Sequence, residues 1–388
     1  MRTFQYINFI KTAIKKISKD KKISLHEPYL DVSDIKSVKE CIQSGYVSTA
    51  GKVINKFEDK IKKFTKSKNV IATVNGTAAI HVALQALGVK KNDEILMPSL
   101  NYIANVNASC YLGCIPHFID VEKDTMGIDP GKLEKYLNNI TFKKKNYIFN
   151  KKTKRKISGI IGVHLFGNSF KVKEVSKIAK KFNLFLLEDA AEAVGSFFEK
   201  KHLGTFGNVG VLSFNGNKII TSAGGGAILT KNDQMAKKIK ILINNSRKIH
   251  NWKYDYWGIG YNYKMTNLNA SLGYSQIKKI KKILKIKKKI HEIYKNFFRK
   301  KIGINLLEAP KKCNSNYWLN CVYIKNLSGN QRDEIISELN KKGIQVRTIW
   351  KLLHKIKPFS KFPKSNLKNS EELFKKVISI PSGPNLLN

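Results

Sequence analysis

The sequence predicts an α/β fold: a mostly parallel central sheet flanked by helices, followed by a smaller α+β unit. Three observations carry this. From about residue 30 to residue 270, short apolar runs alternate with amphipathic stretches of helical period, which is the pattern of a parallel sheet with helices on both faces. The apolar runs are nearly continuous, as in ISGIIGVHLFG (157–167), and strands covered on both faces read this way. After a long helical stretch over 268–299 the alternation stops, and NYWLNCVYI (316–324), RDEIISELNKKG (332–343) and IQVRTIW (344–350) read as a separate, mixed unit.

Each element has its own signal. Asp34–Ser44 and Lys52–Thr65 read as helices, and NVIATV (69–74) as a strand. NGTAAIHVALQALG (75–88) is a turn opening into an apolar-faced helix that stops at Gly88. DEILMPS (93–99) is a strand ended by Pro98, and CIPHFIDV (114–121) is another. The lysine-rich segment 141–156 reads as an exposed loop. KVKEVSKIAKKFN (171–183) is an amphipathic helix, and LFLLEDAAEAVGS (184–196) is a strand running into acidic residues. VGVLSFN (209–215) and GGAILT (225–230) complete the strands. The expected division is a basic N-terminal helix or arm at 1–23, a large domain at 24–270, and a long helix with a small domain at 271–388.

Charge narrows the function less than its size suggests. The chain has 388 residues, 72 of them basic, for a net charge of +44. Nearly all the cations are lysine, spread evenly beside abundant Ile and Asn, which is the mark of compositional drift. The densest run, Lys278–Lys289, keeps Ile and Leu at helical spacing and reads as one helix with a solvated lysine face. No zinc finger, aromatic RNA-binding signature or Arg-rich arm is present, so nucleic acid is not an expected partner. A basic binding protein for nucleic acid or membrane is the rival of another class. Met1–Lys22 alternates apolar residues with lysine and has no apolar signal-peptide core. No stretch has the roughly 18 apolar residues of a membrane span. Five cysteines without a CxxC fit a reducing cytoplasm, and the eight histidines have no metal-ligand spacing.

Three strand ends carry the candidate chemistry. Asn75–Gly76–Thr77 opens a helix, where free backbone N–H groups can bind phosphate, although the same residues serve an ordinary turn and N-cap. Asp189 ends a buried strand, where a carboxylate needs a partner or a ligand. It suits either a helix N-cap or a partner for a protonated pyridine nitrogen. Lys218 follows the polar turn Asn215–Gly216–Asn217 and precedes Ile219–Ile220–Thr221 and three glycines. An amine on such a turn can form a Schiff base if its surroundings favour the neutral form. Ser213 ends the preceding strand and can add a hydroxyl to the same phosphate.

In this order, these motifs resemble the DegT/DnrJ/StrS sugar aminotransferases, which have the fold-type I architecture. The resemblance runs from about Ser24 to the C-terminus through GYVSTAGKVINKFE (45–58), NGTAAIHVALQALG, PSLNYIANVNA (98–108), HLFGN (164–168), EDAAEAVGS (188–196), GNVGVLSFNGNKIITSAGGG (207–226) and GIGYNYKMTNLNAS (258–271). Within the family, LHEP (25–28), VSTAG (47–51), FNGNKIIT (214–221) and QVRTIWKLLHKIKPF (345–359) are most similar to the legionaminic-acid pathway enzymes, with perosamine-type enzymes as near neighbours.

The resemblance implies that Lys218 carries pyridoxal 5'-phosphate covalently and that Asp189 pairs with the pyridine nitrogen. Gly76, Thr77, Ala78 and Ser213 would hold the phosphate, and Tyr102 would stack on the ring. Glu192 stands where the family places a side chain, often His or Gln, near the ring hydroxyl. Asn262 would reach the phosphate of a neighbouring subunit, which implies a homodimer with shared sites, and Lys264 replaces the usual arginine. His164, Arg347 and His354 would lie near the sugar nucleotide. The implied reaction moves an amine from L-glutamate, releasing 2-oxoglutarate, to C4 of a GDP- or UDP-linked 2-acetamido-2,6-dideoxy-4-ketohexose, with Lys218 shuttling the proton. A perosamine-type reaction on a sugar lacking the acetamido group is the alternative. Lysine at 218 argues against the family's dehydratase branch, which has histidine there.

Overall fold

A computed structural model describes residues 3–387. Its large sheet contains strands β1 (Asn69–Thr73), β2 (Glu94–Pro98), β3 (Ile115–Ile119), β4 (Lys156–Val163), β5 (Phe185–Asp189), β6 (Val209–Ser213) and β7 (Gly226–Thr230) in the order β1–β7–β6–β5–β4–β2–β3. Strand β7 is antiparallel to both neighbours, and the pairs from β6 through β3 are parallel. Their residues are apolar and buried along almost their whole length, as strands covered on two faces must be.

The register places the site. Thr73 and Ser213, the last residues of β1 and β6, both pair with Gly226, the first of β7. Asp189, the last of β5, pairs with Val211 of β6. Three carboxyl ends thus meet at one edge, where ligands of open α/β sheets bind. Gly226 is obligatory there: a Cβ would sit 2.8 Å from the Gly76 nitrogen, so only glycine lets the β1 turn come so close.

The helices are α1 (Thr3–Lys15), α2 (Val32–Gln43), α3 (Val53–Thr65), α4 (Gly76–Ala86), α5 (Ala104–Tyr111), α6 (Pro130–Ile140), α7 (Val172–Lys181), α8 (Asp233–Ile243), α9 (Asn267–Phe298), α10 (Gly329–Lys341) and α11 (Lys368–Lys376). Helix α9, 32 residues long, links the large sheet to a four-stranded antiparallel sheet. That sheet is β8 (Ile304–Leu306), β9 (Asn320–Ile324), β10 (Arg347–Thr348) and β11 (Val377–Ile380), in the order β8–β9–β11–β10.

Two expectations change. Segment 141–156 is not a loop: Thr141–Lys144 and Tyr147–Asn150 form a hairpin whose second strand pairs with the start of β4. The consecutive lysines 143–145 hide a hairpin of which only one face is covered. The lysine run on α9 is not wholly solvated either. Lys287 has no exposure, and its Nζ donates to the carbonyls of Trp318, at 2.9 Å, and Ser382. Residues 3–15 form helix α1, whose Tyr6, Ile7, Ile10, Ala13 and Ile14 enter a core with Tyr294, Val322 and Leu339. Among the described residues, no helix is long and apolar enough to cross a membrane.

Candidate active site

At the carboxyl edge of β1, β5 and β6 lies a cavity of about 270 Å³, lined by Gly76, Thr77, Asp189, Glu192, Ser213 and Lys218 among others. One wall is the start of α4. Asn75 is in extended conformation, and its side chain accepts from Ala78 N at 2.8 Å, while its carbonyl accepts from Ala79 N. The N–H groups of Gly76 and Thr77 remain, the first two of a helix having no intrahelical acceptor. A Cβ at Gly76 would lie 3.2 Å from Ser213 Cβ, so glycine keeps the gap between helix start and Ser213 open. This is an anion cradle of backbone donors, a hydroxyl and a helix dipole. Ala78 is a correction: its N–H is spent on the Asn75 cap and it does not line the cavity.

Opposite the cradle stands Asp189. No helix follows it, so it caps nothing. Its Oδ2 accepts from Asn105 Nδ2 at 2.5 Å and its Oδ1 from Ala191 N at 3.1 Å. Asn105 Nδ2 also donates to Asn101 Oδ1, and Asn101, 1% exposed, leaves its Nδ2 without a protein partner while lining the cavity. A buried donor without an acceptor marks a place prepared for a ligand. Neither asparagine was singled out from the sequence. Asn101 lies in the bend before α5 and Asn105 in its first turn, so no helical period links them in the sequence.

Lys218 enters from the loop after β6. Its Nζ lies 4.0 Å from the centroid of the Trp318 ring, and the Trp318 indole N–H donates to the Asn217 carbonyl at 2.7 Å. Burial lowers the lysine pKa below its ordinary value, against the opposing pull of Glu192 and Asp189. The neutral, nucleophilic amine is therefore more accessible than on a surface lysine. Glu192 is buried, accepting from Phe166 N at 2.7 Å and Trp350 Nε1 at 3.1 Å. Burial raises its pKa to about 7, outweighing the opposing effect of Lys218. Tyr102, half exposed, meets Trp350 edge to face at 5.0 Å between ring centroids and lines the same cavity. Trp318 and Trp350 are further wall residues that sequence reasoning missed, because they arrive from the C-terminal part of the chain.

The remaining candidates separate. Arg347 lines a second chamber that shares Asn217, Trp318 and Trp350 with the first. His164 and His354 line neither. His164 is fully buried and bonds Glu188 at 2.9 Å, which the N–H groups of Gly204, Phe206 and Gly207 also hold. Burial works against the Glu188 carboxylate, but these contacts prevail and its pKa stays below the ordinary value. His354 is buried between Ser99 Oγ, at 2.6 Å, and Glu371, at 3.2 Å, a link between the large sheet and α11. Both histidines are corrected from substrate contacts to structural ones. Asn262 is exposed, pairs its backbone with Asn244, and does not line its own chain's cavity.

Comparison with known proteins agrees with this geometry. The profile of the DegT/DnrJ/EryC1/StrS aminotransferase family matches residues 28–388. GDP-perosamine synthase of Escherichia coli O157:H7 is 32% identical over 371 residues, 95% of each chain. GDP-perosamine synthase of Vibrio cholerae is 31% identical, over 94% of this chain and 95% of its own. Among solved structures, Helicobacter pylori PseC, an aminotransferase of pseudoaminic acid biosynthesis, superposes with a TM-score of 0.85 at 25% identity, over 94% of both chains. Aminotransferase TlmJ from Streptoalloteichus hindustanus shares the fold, with a TM-score of 0.84 at 20% identity over 93% of both chains. The residues present fit pyridoxal phosphate: an open anion cradle, a fixed carboxylate, an orphaned amide donor and an amine of lowered pKa surround one space. The chain belongs to the DegT/DnrJ/EryC1/StrS aminotransferase family, with the fold-type I architecture and pyridoxal-phosphate dependence of that family.

Proposed function

We propose that this enzyme transfers an amine from L-glutamate to C4 of a nucleotide-linked 4-keto-6-deoxy sugar, a GDP- or UDP-2-acetamido-2,6-dideoxy-4-ketohexose. The observation that carries the reading is the convergence of Lys218, Asp189 and the Gly76–Thr77–Ser213 cradle on one cavity. Bound there, pyridoxal phosphate supplies an electron sink that makes the hydrogen on an amine-bearing carbon acidic. Gly76 N, Thr77 N and Ser213 Oγ hold its phosphate. Asp189, fixed by Asn105 and Ala191, would pair with the ring nitrogen. Lys218 would hold the cofactor, and its free amine would serve as the general base and acid that moves the proton on the substrate. Its lowered pKa leaves the free amine ready to accept that proton. Tyr102 would cover the ring, Glu192 would stand near its hydroxyl, and Trp318 and Trp350 would exclude water.

The anionic diphosphate of such a substrate suits a chain of net charge +44. A cytoplasmic homodimer suits the rest. All five cysteines are unpaired. Asn262 lies beside an exposed apolar segment that includes Ile249, Trp252, Trp257 and Ile259, a surface suited to a neighbouring subunit. There Asn262 reaches the partner's phosphate. A second reading, a sugar without the acetamido group, draws support from the two perosamine synthases at 31% and 32% identity. The test is purified enzyme with L-glutamate and a panel of 4-keto nucleotide sugars, read by mass spectrometry. Amination of one sugar with equal consumption of glutamate is expected; amination of none overturns the reading.

A further inference from the structure

Trp318, just before β9, is held by backbone and side chain alike. It is 1% exposed. Its backbone N–H donates to Asn316 Oδ1 at 2.8 Å, and its carbonyl accepts from the buried Lys287 Nζ at 2.9 Å. Asn316 is itself anchored, donating to the carbonyls of Glu192 and Val194, both at 2.9 Å. Tyr317, the residue before, has a φ of 50°. A bulky residue takes that left-handed conformation only where its surroundings impose it, and such positions gather at functional sites. Its ring stacks on His291, with 3.9 Å between centroids. The indole is therefore fixed more firmly than shielding a cavity from water requires.

Lys218 is what the indole touches. Asn217, whose carbonyl takes the indole N–H at 2.7 Å, immediately precedes it, and Lys218 Nζ lies 4.0 Å from the centre of the same ring. One side chain thus meets both the backbone beside the lysine and the tip of its amine. A ring face attracts an ammonium and has no such pull on a neutral amine. Burial acts the other way and favours the neutral form, while Glu192 and Asp189 favour the charged one. The remaining ionisable groups stand behind the indole. His26, whose ring meets it at 6.3 Å, is kept neutral first by burial, and burial also pushes the pKa of Lys287 down. Arg347 lies in the neighbouring chamber, across Trp318.

We propose that Trp318 is the positioning residue for Lys218: its ring face seats the lysine amine in the charged form whenever that amine is free, and its N–H holds the Asn217–Lys218 backbone against the cavity. A lysine that moves a proton on the substrate is free and charged at one stage, and it must stay within reach while it is. The seat shifts the balance of charged to neutral amine by about twofold to about thirtyfold, the range such contacts span from exposed to desolvated settings. This rests on the reading of Lys218 as the cofactor-bearing amine given above.

The test compares the full chain with Trp318→Leu, Trp318→Phe and a chain grown with difluorinated tryptophan. Fluorine drains the ring face of negative charge while nearly keeping its shape, so that chain folds even if Trp318→Leu does not. Of the four tryptophans, Trp318 is the one whose ring meets Lys218 Nζ among the described residues. With the cofactor removed, acylation of Lys218 is followed against pH by peptide mass spectrometry. Dividing each rate by its plateau at high pH cancels access and leaves charge. At about pH 7 the divided rate is expected to rise at least about twofold in Trp318→Leu and in the fluorinated chain. Trp318→Phe, which keeps a face, falls between Trp318→Leu and wild type. Uptake of pyridoxal phosphate, read by its absorbance, weakens at least about tenfold in Trp318→Leu and less in the fluorinated chain, which keeps the indole N–H. A residue that only packs would lower stability and leave the divided rate alone. An unchanged divided rate in the fluorinated chain, or a fall, overturns the proposal. If the divided rate rises as expected but the cofactor attaches to another lysine, the reading of Lys218 falls and the seat stands.

Discussion

Burial moves the titration of Glu192 into the working range of a cell. Its carboxyl, ordinarily near 4.5, is raised to about 7 by burial, so folding favours the neutral form. Its contribution to stability is complete below the ordinary value and is lost as pH rises through about 7. The cofactor-free protein is therefore expected to lose on the order of 1–3 kcal/mol between about pH 5 and about pH 8 from this group. Glu192→Gln lacks that loss, which denaturant melts of both proteins across the range will show. In the loaded enzyme, a limb near pH 7 in kcat/KM is expected to vanish in Glu192→Gln. Gly76→Ala is the steric counterpart: its Cβ, 3.2 Å from Ser213 Cβ, narrows the phosphate cradle while leaving the helix intact. At least a tenfold weaker hold on the cofactor, measured by equilibrium dialysis, is expected for roughly 1.4 kcal/mol of lost contact. Unchanged retention would place the phosphate elsewhere. Sequence revealed those residues whose position alone decides their role. Lys218, Asp189, Gly76 and Ser213 sit at strand ends or on the turn that follows, and the structure brings all four to one cavity. His164 and His354 also end strands or turns, but their rings rotate inward to Glu188 and Ser99, a choice of rotamer that spacing does not encode.

Elements were legible where one period dominated. Helix α4 was found because small apolar residues follow an Asn cap, and the same cap explains why Ala78 N is unavailable to a ligand. Removing it tests the point: Asn75→Ala is expected to cost about 1 kcal/mol of stability, read by chemical denaturation. The hairpin at 141–150 was missed because its exposed face is lysine, and Lys287 was missed because a buried lysine on a lysine-rich helix looks like its neighbours. Helix α1 was read as a basic helix or arm because its polar face is the conspicuous one. Its buried face gives the opposite expectation: Ile10→Ala, at a fully buried position, is expected to destabilise the protein by about 2–4 kcal/mol. A change below about 0.5 kcal/mol would mean that α1 does not pack on α10 in solution.

At the scale of the molecule, one edge of the large sheet brings Lys218, Asp189, Gly76, Thr77 and Ser213 to one cavity, and Trp318 and Trp350 from the C-terminal part of the chain close it. The alternation of strand and helix gave that edge away in advance. The closure was hidden, because Trp318 and Trp350 lie over a hundred residues from the strands they cover. The exposed aromatic segment around Trp257 yields an assembly prediction: sedimentation equilibrium is expected to show a dimer that Trp257→Asp weakens, and a monomeric wild type would contradict it. The central claim is that a single amine among 72 basic residues holds the cofactor. Borohydride reduction of the pyridoxal-phosphate-loaded protein, followed by peptide mapping, fixes the cofactor to whichever lysine carries it. The account predicts the phosphopyridoxyl group on Lys218 and none in Lys218→Ala; its appearance on another lysine of the wild-type protein, or on none, would contradict it.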